Sequence, residues 1–88
     1  MEKFPNLNSN QVAMVFADPN TGHVLDVKFN LAINKDQSCY LIFNSKIEAI
    51  EYASQIVLNN NVECVVYDSQ QNVLSIIEKN GNKIHDDK

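Results

Sequence analysis

The chain has no arginine, so it lacks the planar fork that clamps a phosphate or carboxylate at two points. Positive charge rests on seven lysines scattered along 88 residues, against eleven acidic side chains, for a formal net charge of −4. A sequence-independent nucleic-acid binder gains affinity by neutralising phosphates, and this balance excludes that class. It equally excludes a cationic helix lying on a membrane surface. Glycine occurs only at Gly22 and Gly81, so there is no Gly-rich loop to cradle a nucleotide. The two cysteines, Cys39 and Cys64, fall inside separate apolar runs and do not make a disulfide scaffold. With His23 and His85 equally isolated, the paired ligand spacing of a zinc site is missing. Both thiols are expected to be small buried core groups, and no metal or cofactor is expected. No apolar run approaches the roughly 20 residues that span a bilayer. The polar start, MEKFPNLNSNQ, has no signal-peptide core, so a cytoplasmic location without membrane contact is expected.

Hydrophobic content of 44% and charged content of 20% are those of an ordinary globular protein. A chain this short makes one domain and buries only roughly 60–65% of its extended-state surface, which leaves a modest stability margin. Its clearest element is Ser45 to Asn60, SKIEAIEYASQIVLNN. Ser45 and Glu48 have the spacing of a capping box, in which each side chain satisfies a backbone N–H of the other. Ile47, Ala49, Ile50, Ala53, Ile56 and Val57 share a broad face, with Glu48, Glu51 and Gln55 opposite. Asn59, Asn60 and Asn61 end the helix, as residues that tolerate a left-handed cap.

The remainder reads as strand. Val12–Ala17 is a short apolar run closed by Asp18-Pro19-Asn20-Thr21-Gly22, a sequence with turn chemistry. From Val24 to Asn34, apolar Leu25, Val27, Phe29, Leu31 and Ile33 alternate with mostly polar residues, predicting a long half-buried second strand. Cys39–Phe43, Val62–Tyr67 and Val73–Glu78 complete the set. The expected fold is therefore α+β in the order βββαββ, an antiparallel-rich sheet with one helix on one face. Residues 1–11 read as an irregular lead-in, 12–78 as the folded core and 79–88 as a flexible tail. The spacing Val12-x-x-Val15-x-x-Asp18 recurs as Val62-x-x-Val65-x-x-Asp68, which implies two hairpins of similar design.

The run from Phe43 to Asp68, FNSKIEAIEYA closing on VECVVYD, resembles small uncharacterised bacterial proteins. Those carry an F-x-[ST]-K-x-E-A-I-x-x-A helix followed by a short strand and a turn. Many of them continue with an Asp-Gly turn, where this chain has Asp68-Ser69-Gln70-Gln71-Asn72. The resemblance implies a bacterial, cytoplasmic protein and brings no activity or functional residue. The strand–turn–strand pieces also resemble dimerising roadblock-type domains, which differ in helix count.

Parity along the strands separates two sheet faces. Val12, Met14 and Phe16, then Cys39, Leu41 and Phe43, then Val62, Cys64 and Val66 are expected beneath the helix. The opposite face then carries Ala13, Val15, Tyr40, Ile42, Val65 and Tyr67, which is too apolar for open solvent. An interface at Tyr40, Ile42, Val65 and Tyr67 is expected, in a non-catalytic interaction module that forms a homodimer or meets a protein partner. The rival cover is the lead-in, through Phe4 and Leu7, which implies a monomer. An alternative function is a small-ligand binder or minor enzyme with a pocket at the helix–sheet edge near Asp18, His23 and Asp68. No nucleophile, base and orienting group stand together in the sequence, so no catalytic residue is assigned.

Overall fold

A computed structural model of the protein describes residues 3–79 and the backbone of residues 81–84. Its elements are β1 (Val12–Ala17), β2 (Val24–Leu25), β3 (Leu41–Phe43), α1 (Lys46–Asn59), β4 (Glu63–Tyr67), β5 (Val73–Glu78) and β6 (Gly81–Ile84). They form one antiparallel sheet in the order β2-β1-β4-β5-β6, with β3 also paired to β1. The two short strands share one edge of β1 end to end. Phe16 and Ala17 face Leu25 and Val24, while Val12, Ala13 and Met14 face Phe43, Ile42 and Leu41. The other edge of β1 is taken by β4, from Ala13 opposite Tyr67 to Ala17 opposite Glu63. β3 and β4 therefore run parallel with β1 between them, and α1 is the crossover that carries the chain past it.

One helix packs on one face of this sheet, so the α+β architecture holds, with one strand more than the sequence announced. Val12, Met14 and Phe16 of β1, Cys64 and Val66 of β4 and Ile77 of β5 meet Ala49, Ala53 and Val57 of α1. The two alanines are fully buried, and their small side chains let the helix backbone come close to the strands. Ile47 was expected on this face and is instead 69% exposed. It lies about 200° round the wheel from Ala49, on the wet side. The helix ends differently from expectation too. Asn60 is extended (φ −139°) rather than left-handed. The side-chain amides of Asn59 and Asn60 stop the helix by donating to the Gln55 and Ile56 carbonyls at 3.1 and 3.0 Å.

The long second strand does not form. Only Val24–Leu25 is strand, because the chain reverses at Asp26. Its Oδ1 accepts from the backbone N–H of Lys28 at 2.8 Å and of Asn30 at 2.9 Å. The Asp26 N–H donates to the Asn30 carbonyl at 2.7 Å, Phe29 N–H returns to the Asp26 carbonyl at 2.9 Å, and Leu31 bridges back to Leu25. Phe29 takes a left-handed φ of 68°, and its ring packs edge-on against Phe16 at 4.9 Å. As a result Asp26, expected in water, is buried, while Leu31 and Ile33, expected in the core, are exposed. Gln37 ties down the rest of the loop, accepting from Ile33 and Asn34 N–H and donating to Leu31 O and Asp26 Oδ2.

The third strand is likewise shorter than expected. Cys39 is buried but precedes β3 and stands outside the helix-side cluster. At the other end of the chain, Gly81–Ile84 pairs with β5 as β6 where a flexible tail was expected. Residues 80 and 85–88 of that tail lie outside the described residues. A register shift between Val66 and Tyr67 is a bulge on β5. It leaves Leu74 as the extra residue, packed on the core beside Ser75. The Ser75 hydroxyl is buried there with no hydrogen-bond partner among the described residues.

Asp68–Asn72 repeats the Asp26–Asn30 turn bond for bond. Asp68 N–H donates to Asn72 O at 2.9 Å, Gln71 N–H to Asp68 O at 3.1 Å, and Asp68 Oδ1 accepts from Gln70 and Asn72 N–H. Gln71 holds the left-handed position, with φ 65°. A side chain there costs about 1–2 kcal/mol, and glycine gives back about 0.5–1 kcal/mol through its own entropy. Gln71→Gly is therefore expected to stabilise the domain by up to about 1 kcal/mol. Phe29→Gly relieves the same strain but forfeits a packed ring worth about 1.5–3 kcal/mol, so it should destabilise. Urea midpoints of the two variants should move in opposite directions; a shared direction would contradict this reading of the turns.

Candidate functional site

On the side of the sheet away from α1, cross-strand pairing makes two apolar rows. Ile42, Ala13, Tyr67 and Val73 form one, from the partners Ala13–Ile42, Ala13–Tyr67 and Tyr67–Val73. Val15, Val65 and Ile76 form the next, and Tyr40, one residue before the Leu41–Met14 pair, extends it past Val15. Glu63, opposite Ala17, marks the polar end. The structure thus gathers Tyr40, Ile42, Val65 and Tyr67 on one surface.

That surface is not bare. Small residues, Ala13 and Val15, floor a trough between Tyr40 on one side and Tyr67 on the other. The Phe4 ring stands edge-on to both, 5.5 Å from Tyr40 and 5.9 Å from Tyr67. Edge-to-face contacts at this distance are favourable beyond their buried area. Ala13 and Val15 are consequently sealed, while Ile42 stays 49% exposed and Val65, Val73 and Ile76 half-buried. The lead-in holds its approach through a turn at Asn8–Gln11, where Gln11 N–H donates to Asn8 O at 3.0 Å and Asn8 N–H to Gln11 Oε1 at 2.9 Å.

The alternative set does not assemble. Asp18 follows the end of β1 and Asp68 the end of β4, and the antiparallel ladder places them at opposite ends of the sheet. Each serves its own turn: Asp18 Oδ1 accepts from Asn20 N–H at 2.8 Å, beside an exposed His23. At Asp68 burial works to raise the carboxyl pKa, and hydrogen bonds from Asn72 and Gln70 overcome it and hold it below the ordinary value. Among the described residues no group of three or more His, Cys, Asp or Glu side chains could hold a metal ion. Burial pushes the Cys64 thiol up to about 12, which keeps it protonated and unreactive. No helix among the described residues is long and apolar enough to cross a membrane.

The buried carboxylate that sequence reasoning missed is Asp26. The Gln37 side-chain amide, then the Asn30 N–H, hold its carboxyl below the ordinary value against the cost of burial. Perturbed carboxylates mark active sites often enough to raise the question. Here both oxygens are occupied by the protein's own loop, so the group is structural. The signal in the sequence was Asp-x-x-x-Asn, which stands at both Asp26–Asn30 and Asp68–Asn72.

Compared with protein-family models, with curated proteins and with solved structures, the chain finds no match in any of the three.

Because the folded pKa of Asp26 is depressed, its contribution to stability is complete above the unfolded carboxylate value of about 3.9 and is lost as pH falls through the lower folded value. Asp26→Asn keeps an acceptor for Lys28 and Asn30 but turns an N–H toward the Gln37 amide. Thermal melts should show the variant less stable than wild type at pH 7, with the gap closing below about pH 4. A gap unchanged down to pH 2 would mean that the charge plays no part.

Proposed function

We propose that this chain is a non-catalytic, cytoplasmic interaction module that pairs with a second copy of itself through the sheet face opposite the helix. One observation carries this reading: the apolar rows run unbroken over β3, β1, β4 and β5, and Phe4 covers only their centre. Ile42, Val65, Val73 and Ile76 remain partly in water around it. Burying a large apolar side chain contributes about 1.5–3 kcal/mol, which a small domain can hardly forgo. Two-fold pairing of one patch is the commonest way a soluble chain recovers it. The lead-in competes for the same surface, so association is weak to moderate and depends on how firmly Phe4 sits in its trough.

Light scattering behind a sizing column tests this across a concentration series. Wild type should dimerise at high micromolar concentration, and Phe4→Ala should dimerise at lower concentration. Ile42→Lys combined with Val73→Lys, both at the margin of the patch, should remain monomeric with an unchanged circular dichroism spectrum. Monomers throughout for both wild type and Phe4→Ala would overturn the reading, as would a dimer that tolerates the two lysines.

A further inference from the structure

Apart from the self-association face, the opposite side of the molecule has a groove of about 570 Å³ between the end of β3 and one flank of α1. Its floor is apolar and aromatic. The rings of Phe43 and Tyr52 lie 5.4 Å apart at a tilt of 47°, and Ile56 continues the floor, packed against the core. Tyr52 remains 43% exposed, so the floor is open to a partner. Glu48 and Glu51, one helical turn apart, supply the charge, and among the described residues no lysine lines the groove.

Glu48 stands in the first turn of α1, where its charge suits the helix N-terminus, and no described residue makes a direct bond to either carboxylate. Ser45 Oγ accepts from the Glu48 N–H at 3.2 Å, but only this half of the expected capping box forms. Neither Glu48 nor Glu51 has a side-chain partner among the described residues. An apolar floor beside two unpaired negative charges is complementary to one chemistry, an apolar stripe flanked by cations. The wall from Glu48 to Asn59 is about 16 Å long at 1.5 Å per residue, the length of three helical turns.

We propose that this groove docks a basic amphipathic helix of a partner protein. Its apolar side chains rest on Phe43, Tyr52 and Ile56, and its Lys or Arg side chains meet Glu48 and Glu51. The Gln55 amide farther along the wall donates to or accepts from polar groups at the other end of the segment. Helix-in-groove recognition of this kind takes most of its affinity from the apolar anchors, while the charges set partner choice and encounter rate.

A three-turn capped peptide of leucine and lysine, its leucines at helical spacing, is the probe. Titrated into isotopically labelled protein at low salt, it should shift the amides of Glu48, Glu51, Tyr52 and Gln55 in one saturable set. Glu48→Gln combined with Glu51→Gln should weaken it about fivefold, as two exposed ion pairs allow. Raising salt should weaken wild type to a similar extent. Tyr52→Ala should weaken it about tenfold with the charges intact, in line with loss of an aromatic anchor. The same peptide with glutamate for lysine should not bind. The proposal is overturned if no shift appears up to millimolar peptide, or if shifts centre on the Asp18, Asp36 or Asp68 turns instead. It is equally overturned if the glutamine variants bind as tightly as wild type, or if n-butylammonium alone reproduces the shifts at comparable concentration.

Discussion

The fold is organised around β1, which is covered on both faces and both edges at once. All six of its residues are buried. Along the edges, β2 and β3 divide one side and β4 takes the other, so its backbone groups are satisfied by three neighbours. Toward the helix, Val12, Met14 and Phe16 need a close cover, and Ala49 and Ala53 let α1 approach closely enough to provide it. Away from the helix, Ala13 and Val15 need a second cover, and α1, the one helix among the described residues, is already committed to the other face. The lead-in supplies one aromatic ring instead, held between two tyrosines. This economy explains why the far face is sealed at its centre and unfinished at its margins.

The parts of the fold legible in the sequence were those whose signal is local. Val12–Ala17 and Val73–Glu78 have the bounds their apolar runs suggested, and Ser45 caps α1 as its position before the amphipathic run implied. The second strand failed for an equally local reason. Period-two alternation from Val24 to Asn34 also fits a tight reversal, because a residue's apolarity does not say whether its backbone is extended or left-handed. An Asp that binds the N–H groups two and four residues ahead offers the chain an alternative to a sheet ladder, and at Asp26 that alternative wins. The same turn at Asp68–Asn72 lies between two apolar runs, where the connection of a hairpin was expected. Both repeats carried structural meaning: Val-x-x-Val-x-x-Asp marks the β1–β2 and β4–β5 hairpins, whose turns open at Asp18 and Asp68, and Asp-x-x-x-Asn marks the tight reversals at Asp26 and Asp68.

The candidate surface was half legible. Strand parity alone put Tyr40, Ile42, Val65 and Tyr67 together, since a side-chain period of two is fixed by the pleat. What parity does not contain is the destination of an irregular segment, so Phe4 was a possible cover with no assigned place. The groove on α1 was missed for another reason. Tyr52 and Phe43 belong to different elements, and only the crossover geometry brings their rings together. Glu48 was assigned to the cap by its spacing, and the free carboxylate becomes visible only when the reciprocal hydrogen bond fails to form.

One chain covers both faces of its own β1, with Phe4 as the second cover. Proton–proton contacts measured by nuclear magnetic resonance test it directly, at a concentration where the protein sediments as a monomer. Phe4 ring protons should show cross-peaks to the rings of both Tyr40 and Tyr67, and the Ala13 methyl should be displaced by ring currents and lose that displacement in Phe4→Ala. Cross-peaks that are absent in the monomer and appear only as the protein associates would overturn this, because the second cover would then come from another copy.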